Sequence, residues 1–232
     1  MTGEIRVIPV TGMPEVSPGD SIADLVLEHV TVESGDVVVV TSKIVSKAEG
    51  RLVDVDHADP AARGALIEQE SRRILRRREE LYITETRHGF ICANSGVDFS
   101  NVVDGAALLP ANPDRSARRI RDALEARTGL TLAVIVSDTF GRTWRRGLVD
   151  VALGCAGITA ILDLRGTADA QGRPLAVTEV AVVDEVASAA DLVMGKAEGV
   201  PVAIVRGVDR AWFREGSVRQ EIVRPPGEDL FR

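Results

Sequence analysis

Two unbroken apolar runs restrict the fold of this 232-residue chain more than any other feature. Residues 36–41 (DVVVVT) and residues 130–137 (LTLAVIVS) each have the length of a strand and are rich in β-branched side chains. Such continuous runs are typical of strands that are buried on both faces of a sheet. Each run passes directly into polar residues, which are residues 42–47 after the first run and Asp138 after the second.

Hydrophobic periodicity predicts further elements along the chain. The predicted helices cover residues 21–29 with Asp20 as N-cap, 59–80, 114–127, 148–155 and 185–194. Additional strands are predicted at residues 4–9, 81–86, 89–93, 158–164, 177–183 and 202–206. Helices and strands mix without strict alternation, which indicates an α/β or α+β fold. Because no repeat or low-complexity linker divides the chain, we expect one domain over residues 1–232, built from two interleaved subdomains.

Composition excludes several classes of function. Hydrophobic residues make up 45% of the chain and charged residues 27%, which is a globular composition. The net charge of −7 and the aromatic content of 3% argue against a nucleic-acid-binding protein. No apolar run is long enough to cross a bilayer, and no secretory signal is visible, so we expect a cytoplasmic protein.

Cysteine and histidine patterns predict neither disulfides nor zinc. Cys92 and Cys155 lie far apart without a CxxC motif, and the three histidines form no HxH or HxxxH pair. A metal ion in this protein would therefore have oxygen ligands, which favours magnesium, manganese or calcium.

The segment 137–146 (SDTFGRTWRR) is the strongest candidate for chemistry. An acidic residue at the end of an apolar strand stands where α/β proteins place functional groups. Asp138 can bind a hard cation and the Thr139 hydroxyl can add an oxygen ligand. Three arginines, at positions 142, 145 and 146, can hold an anionic substrate. A capped turn with solvated arginines explains the same residues equally well.

Three more segments are candidates for ligand contacts, each with a structural alternative. In residues 94–101, Asp98 and Asn101 can face one site, or they can form Asx turns. Asp98 and Asp138 together provide two carboxylates that can hold a cation on nucleotide phosphates.

In residues 41–47, Lys43 and Lys47 can contact phosphate, and Ser42 and Ser46 can donate hydroxyl protons. The structural alternative for this segment is a capped turn. In residues 195–201, Gly195 and Lys196 can approach a ligand, or they form a helix end.

The chain lacks the two familiar nucleotide-binding motifs. Neither the Walker A pattern GxxxxGK[ST] nor the Rossmann pattern GxGxxG occurs in the sequence. A nucleotide bound by this protein would therefore contact a different set of loops.

The order of these segments closely resembles the coenzyme F-420-0:L-glutamate ligase family. The similarity includes the N-terminal ligase domain of the bifunctional actinobacterial form, and it covers essentially the whole chain. The motifs that carry it are MPE (13–15), VVVVTSKIVSKAEGR (37–51), NSGVDFSN (94–101), SDTFGRTWRRG (137–147) and MGKAEGVPVAIVRG (194–207). We expect either a stand-alone enzyme or the ligase domain of a longer chain.

The resemblance implies a two-lobed α/β fold, different from ATP-grasp ligases, and a homodimer. It implies that GTP is the nucleotide, that Mg²⁺ or Mn²⁺ is required and that K⁺ assists. The implied reaction joins L-glutamate to the lactyl phosphate carboxylate of coenzyme F-420-0 and adds further glutamates through γ-linkages. The expected partners are these two small molecules, with no nucleic acid and no membrane.

The resemblance also implies roles for individual residues. Positions that match nucleotide contacts are Met13, Pro14, Glu15, Val16, Ser42, Lys47, Asn101, Gly195 and Lys196. Positions that match metal ligands are Asp98, Asp138 and Thr139, with Glu198 as an open alternative. Asp98, Asp138 and Lys47 are the expected catalytic residues.

The residue types suit this chemistry independently of the resemblance. Amide formation in water is uphill, so the substrate carboxylate must first be activated, and phosphoryl transfer from GTP would give an acyl phosphate. Phosphoryl transfer requires positioning and charge neutralisation more than a protein nucleophile. Two alternatives stay open: a GTP-dependent phosphotransferase that acts on a small acid, and a nucleotide-binding module without turnover.

Overall fold

The computed structural model describes residues 3–56, 58–100, 105–195 and 198–230. The helices are α1 (Ile22–His29), α2 (Ser42–Ala48), α3 (Pro60–Glu70), α4 (Pro113–Thr128) and α5 (Val182–Met194). The first strands are β1 (Arg6–Pro9), β2 (Val37–Thr41), β3 (Leu52–Asp54), β4 (Ser71–Arg78), β5 (Leu81–Thr86) and β6 (Ile91–Ala93). The later strands are β7 (Gly105–Ala107), β8 (Ala133–Arg142), β9 (Arg145–Ala156), β10 (Leu162–Asp163), β11 (Glu179–Val180) and β12 (Val202–Arg206).

Five of these strands form the central sheet, in the order β1-β12-β2-β8-β9. Strands β2 and β8 run parallel, with Val37 opposite Ala133 and Thr41 opposite Ser137. The β1–β12, β12–β2 and β8–β9 pairs are antiparallel. Because β2 and β8 are parallel, the polar residues after β2 lie beside the second half of β8.

Both faces of β2 are buried, as its apolar sequence predicts. Val37 and Val39 pack into one hydrophobic cluster with α5, whereas Val38 and Val40 pack into a second cluster with α1 and α4. All four side chains are fully buried. Since full burial of a valine side chain stabilises a fold by about 2 kcal/mol, this strand anchors the sheet.

A segment between α2 and α4 forms two smaller sheets. Strand β3 pairs with β7, and β4, β5 and β6 form a three-stranded antiparallel sheet. The segment has a hydrophobic cluster of its own, which includes Ile67, Tyr82 and Val97. This cluster supports the loop that carries Asp98, whose backbone forms an isolated bridge with Ala107 of β7.

The predicted helix at residues 59–80 is wrong in its second half. The helix ends at Glu70, and Ser71–Arg78 forms strand β4. Two arginines of this strand, Arg72 and Arg73, each approach the buried Glu85 of β5 at 3.1 Å. Pairing with β5 and with this carboxylate overrides the helix propensity of the arginine-rich sequence.

The predicted helix at residues 148–155 is also wrong, because these residues belong to β9. Strand β9 pairs with β8 through a hairpin in which Trp144 has a positive φ of 68°. The backbone at Gly154 approaches the start of α4 so closely that a Cβ atom would lie 2.2 Å from the carbonyl carbon of Pro113. The hairpin partner and this close approach are long-range features that local periodicity does not report.

Smaller differences concern element ends. Ser21, not Asp20, caps α1 by accepting a hydrogen bond from the backbone of Asp24. The polar residues 42–47 form most of helix α2. Of the strands predicted at 158–164 and 177–183, only the two-residue strands β10 and β11 form.

The mixed α and β class predicted from the sequence is confirmed. Among the described residues, no helix has the length and apolar character that a bilayer span requires. The division into two subdomains stays a prediction.

The side chain of Asp114 joins α4, β9 and the C-terminal segment. One carboxylate oxygen accepts hydrogen bonds from the backbone of Cys155 at 2.9 Å and of Val218 at 3.0 Å. The other oxygen accepts from the Ser217 hydroxyl at 2.7 Å and from the backbone of Arg219 at 3.2 Å. Four donors therefore depend on one carboxylate for their hydrogen bonds.

We expect Asp114→Ala to lower the free energy of unfolding by about 3 kcal/mol, because part-buried donors lose a charged acceptor. Urea unfolding followed by circular dichroism measures this change. Asp122→Ala is the matched control on the same helix, because Asp122 is exposed and contacts the side chain of Arg121. An equal effect of the two substitutions would contradict the role assigned to Asp114.

Candidate active site

A cleft of about 740 Å³ opens at the edge where β2 ends beside β8. Its walls come from the loop after β1, the start of α2, the loop 96–100, the β8–β9 pair and the turn after α5. Ten residues predicted as site residues line it: Met13, Pro14, Glu15, Val16, Ser42, Lys47, Asp98, Asp138, Thr139 and Gly195. The other two predicted residues, Asn101 and Lys196, lie outside the described residues. The structure therefore brings together segments that are far apart in sequence, while their individual roles stay predictions.

The loop after β1 lies over α2. Val16 is buried in the same hydrophobic cluster as Ile44 and Val45, and Met13 packs against this cluster. Lys47 is only 6% exposed and forms an ion pair with Glu15, whose side chain is largely exposed. A buried ammonium group requires such a partner, since desolvation without one is costly. The ion pair therefore links the loop to the helix across the cleft wall.

Asp98 is held at both its backbone and its side chain. Its backbone exchanges two hydrogen bonds with Ala107, of 2.9 and 2.8 Å. One carboxylate oxygen accepts hydrogen bonds from the Ser100 backbone at 2.7 Å and hydroxyl at 2.6 Å. The other oxygen lies 2.6 Å from the ammonium of Lys43. Burial alone would raise the pKa of Asp98, but the bonds from Lys43 and Ser100 prevail and lower it, so the carboxylate is ionised at neutral pH.

The second acidic group follows the buried part of β8. The backbone N–H of Thr139 donates to the side chain of Asp138 at 2.9 Å. The hydroxyl groups of Thr139 and Ser137 both donate to the carboxylate of Asp150, at 2.6 and 2.9 Å. The bond to Asp150 fixes the orientation of the Thr139 hydroxyl at the cleft wall.

Asp150 is a cleft residue that the sequence reasoning missed. It is 2% exposed and stands directly opposite Thr139 in the β8–β9 register. The helix predicted for residues 148–155 does not place Asp150 opposite Thr139, whereas the strand does. The β-branched residues Val149 and Val151 on either side of Asp150 were the available signal for a strand.

The turn after α5 completes the cleft. Gly195 caps the helix with φ of +59°, and its backbone donates to the carbonyl of Asp191 at 3.0 Å. The carbonyl of Pro201 accepts from the backbone of Thr41 at 3.0 Å, which places this turn beside the end of β2. Gly195 therefore both ends the helix and lines the cleft, as the two alternatives for this segment predicted. Glu198 is not among the residues that line the cleft.

The arginines of the β8–β9 hairpin lie apart from the cleft. Arg142 donates to the backbone carbonyl of Arg146 at 2.8 Å, within the hairpin end that also contains Arg145. None of the three is among the residues that line the cleft. The predicted contact of these arginines with an anionic substrate stays a prediction.

Acidic groups outnumber basic groups in the described part of the cleft. The lining carboxylates are those of Glu15, Asp98, Asp138, Asp150 and Asp191, whereas the lining ammonium groups are those of Lys43 and Lys47. This excess of negative charge favours the binding of a cation together with any phosphate-bearing ligand.

The donor set fits Mg²⁺ or Mn²⁺ held jointly with a ligand. Across the described ranges, no three or more histidine, cysteine, aspartate or glutamate side chains are grouped to hold a metal ion. Mg²⁺ sites commonly use only one or two carboxylates and complete their shell with substrate phosphates and water. Asp98, Asp138 and Thr139 carry hard oxygen atoms of the kind that Mg²⁺ prefers, and all three line the cleft.

Cysteine chemistry is excluded at this site. Cys92 is buried on β6, and burial together with the nearby Asp138 raises its pKa to about 12. Burial also raises the pKa of the Cys155 thiol. Both thiols are therefore protonated at neutral pH and are poor nucleophiles.

Comparison with known proteins identifies the family. The sequence model of the F420-0:Gamma-glutamyl ligase family matches residues 11–207. A coenzyme F420:L-glutamate ligase of Methanothermobacter thermautotrophicus is 43% identical, over 98% of this chain and 99% of the relative. One of Methanocaldococcus jannaschii is 40% identical over 100% of both chains. A third, of Methanopyrus kandleri, is 40% identical over 98% of both chains.

The matched stretch contains every segment that lines the cleft, from Met13 to Pro201. The similarity to the three archaeal enzymes extends over nearly the whole length of each protein. The chain belongs to the F420-0:gamma-glutamyl ligase family.

Proposed function

We propose that this protein is a coenzyme F-420-0:L-glutamate ligase that uses GTP and a divalent cation. The observation that carries the proposal is the family match over residues 11–207, within which ten of the twelve predicted site residues line one cleft. The proposal includes a homodimer and a cytoplasmic location, as the sequence resemblance implies. The excess of carboxylates in the cleft supports a reaction in which phosphate groups and a cation bind together.

The proposed reaction has two steps. The terminal carboxylate of coenzyme F-420-0 attacks the γ-phosphorus of GTP, so that a C–O–P linkage forms and GDP leaves. The amine of L-glutamate then attacks the acyl carbon, a C–N bond forms, and phosphate leaves as the amine loses a proton. Repetition on the γ-carboxylate of the added residue gives the γ-linked tail. The first step overcomes the unfavourable equilibrium of amide formation in water.

The cleft supplies binding and charge neutralisation for the first step. Lys47 is buried beside the loop 13–16, and its ammonium can donate a hydrogen bond to a phosphate oxygen in place of Glu15. Glu15 is largely exposed, so it can turn to solvent when phosphate binds. The loop 13–16 and Ser42 are the proposed nucleotide contacts around this lysine.

Three oxygen donors are the proposed metal ligands. Asp98 and Asp138 face the cleft from different parts of the fold, and the Thr139 hydroxyl is oriented by its bond to Asp150. Mg²⁺ or Mn²⁺ in this position would neutralise negative charge on the transferred phosphoryl group. Potassium is included in the proposal as an assisting cation.

Product analysis is the first test. Purified protein is incubated with coenzyme F-420-0, L-glutamate, GTP and Mn²⁺, and the products are analysed by mass spectrometry. We expect a ladder of glutamyl adducts that disappears when GTP is omitted. Release of GDP without an adduct would indicate a phosphotransferase on the acid, and neither product with GTP bound would indicate a binding module. Either result would contradict the ligase proposal.

We expect Asp138→Asn to lower the rate of adduct formation by about 100-fold or more, because one of two charged ligands of the cation is lost. The rate is measured by the same mass spectrometry at several Mn²⁺ concentrations. Asp122→Asn, on the exposed side of α4, is the matched control and retains the full rate. Activity of Asp138→Asn at the level of the unchanged protein would remove Asp138 from the proposed metal site.

We expect Lys47→Met to weaken GTP binding by at least about tenfold, because a charge-assisted hydrogen bond to phosphate contributes about 1.5–3 kcal/mol. Isothermal titration calorimetry with GTP measures the dissociation constant. Arg165→Met, which removes an exposed ion pair outside the cleft, is the control and does not weaken binding. An unchanged dissociation constant for Lys47→Met would contradict its phosphate role.

A further inference from the structure

The ammonium of Lys43 contacts Asp98, which is one of the proposed metal ligands. It lies 2.6 Å from a carboxylate oxygen of Asp98 and 3.0 Å from the hydroxyl of Ser100. Ser100 in turn donates to the second oxygen of Asp98 through its hydroxyl and its backbone N–H. Both oxygens of this carboxylate therefore have partners from the protein, and one partner is a full positive charge.

Lys43 and a divalent cation compete for the same carboxylate oxygen. A Mg²⁺ ion bound to Asp98 lies about 2.1 Å from the oxygen, whereas the ammonium lies 2.6 Å from it. Two cations this close repel each other strongly in a partly buried cleft. For the metal to bind Asp98, the ammonium of Lys43 must move away.

A nucleotide phosphate in the cleft would give Lys43 a second acceptor. Lys43 and Lys47 are four residues apart on α2, a spacing that places them on one face of the helix, and both line the cleft. A nucleotide whose phosphates reach Lys47 therefore also presents negative charge to Lys43. The lysine side chain is flexible enough to exchange one acceptor for the other, since its charge lies at the end of a four-carbon stem.

The residue type at position 43 suits a contact that must be released. Only three of the 28 basic residues in the sequence are lysines, and the other 25 are arginines. An arginine would hold Asp98 with a planar, two-pronged contact, whereas a lysine makes a single point contact. The two lysines that the structure describes both line the cleft, while arginines form the ion pairs elsewhere in the described chain.

We propose that Lys43 couples nucleotide binding to metal binding: it neutralises Asp98 in the nucleotide-free cleft and moves to a nucleotide phosphate when the divalent cation takes its place. Lys43 is thus a positioning residue, because it acts through Asp98. The inference rests on the proposed function, since it requires that Asp98 is a metal ligand and that a nucleotide occupies the cleft. Coupling of this kind is reciprocal, so metal and nucleotide tighten each other's binding by the same factor.

The test measures Mn²⁺ binding by electron paramagnetic resonance, without nucleotide and with saturating GDP, so that no turnover is needed. For the unchanged protein we expect weak Mn²⁺ binding that GDP strengthens. For Lys43→Met we expect about tenfold tighter Mn²⁺ binding without nucleotide and a correspondingly smaller effect of GDP. Lys43→Arg retains the positive charge, so its Mn²⁺ affinity without nucleotide does not exceed that of the unchanged protein.

Arg165→Met is the matched control. Arg165 forms an ion pair of the same 2.6 Å length with Asp163, on the exposed surface and outside the cleft. Its removal leaves Mn²⁺ affinity and the effect of GDP unchanged. Thermal unfolding of each variant verifies that the proteins compared are folded.

Two results would overturn the inference. The first is that Lys43→Met binds Mn²⁺ no more tightly than the unchanged protein does, or shows no detectable Mn²⁺ binding. The other is an undiminished effect of GDP in that variant. Failure of the proposed function is distinguishable: if Asp98→Asn does not weaken Mn²⁺ binding in the presence of GDP, the metal site itself is wrong. If the ligase forms adducts and Asp98→Asn behaves as expected, only the role of Lys43 fails.

Discussion

The parallel pairing of β2 with β8 determines the position of most other features. Both strands are buried on both faces, so each can carry polar side chains only after its apolar run. Because the strands are parallel, the first polar residues after each run meet at one edge of the sheet, with Thr41 opposite Ser137. The lysines of α2 and Asp138 of β8 line the same cleft for this reason. The cleft therefore lies where the buried apolar runs of β2 and β8 end.

The elements that depend on local sequence were predicted, and those that depend on distant partners were not. The valine run of β2 and the helix α4 were evident from composition and periodicity. Strand β4 was assigned to a helix because its arginines favour one, and the strand exists because the buried Glu85 pairs with two of them. Strand β9 was missed because it depends on the hairpin with β8 and on the close approach of Gly154 to α4.

The same distinction applies to the site. Asp138 stands at the end of an apolar run, which is a local signal, and position in the sequence was enough to select it. The loop 13–16 carries no such signal, and family resemblance was the only guide to it. Asp150 required the register of the β8–β9 pair, in which it faces Thr139. The local sequence can therefore select candidate site residues such as Asp138. The residues that orient them, such as Asp150, depend on strand pairing.

The two proposed metal carboxylates stand on separately stabilised parts of the fold. Asp138 is fixed by the central sheet, whereas Asp98 is fixed by its backbone bonds to Ala107. The neighbours of Ala107 in the chain, Ala106 and Leu108, pack in the smaller hydrophobic cluster of the segment between α2 and α4. Both carboxylates face one cleft, and the ammonium of Lys43 offsets the negative charge of Asp98. Lys43 therefore links α2, which directly follows β2 of the central sheet, to the segment between α2 and α4 that carries Asp98. The position of Asp98 in the cleft thus depends on the charges around it as well as on strand pairing.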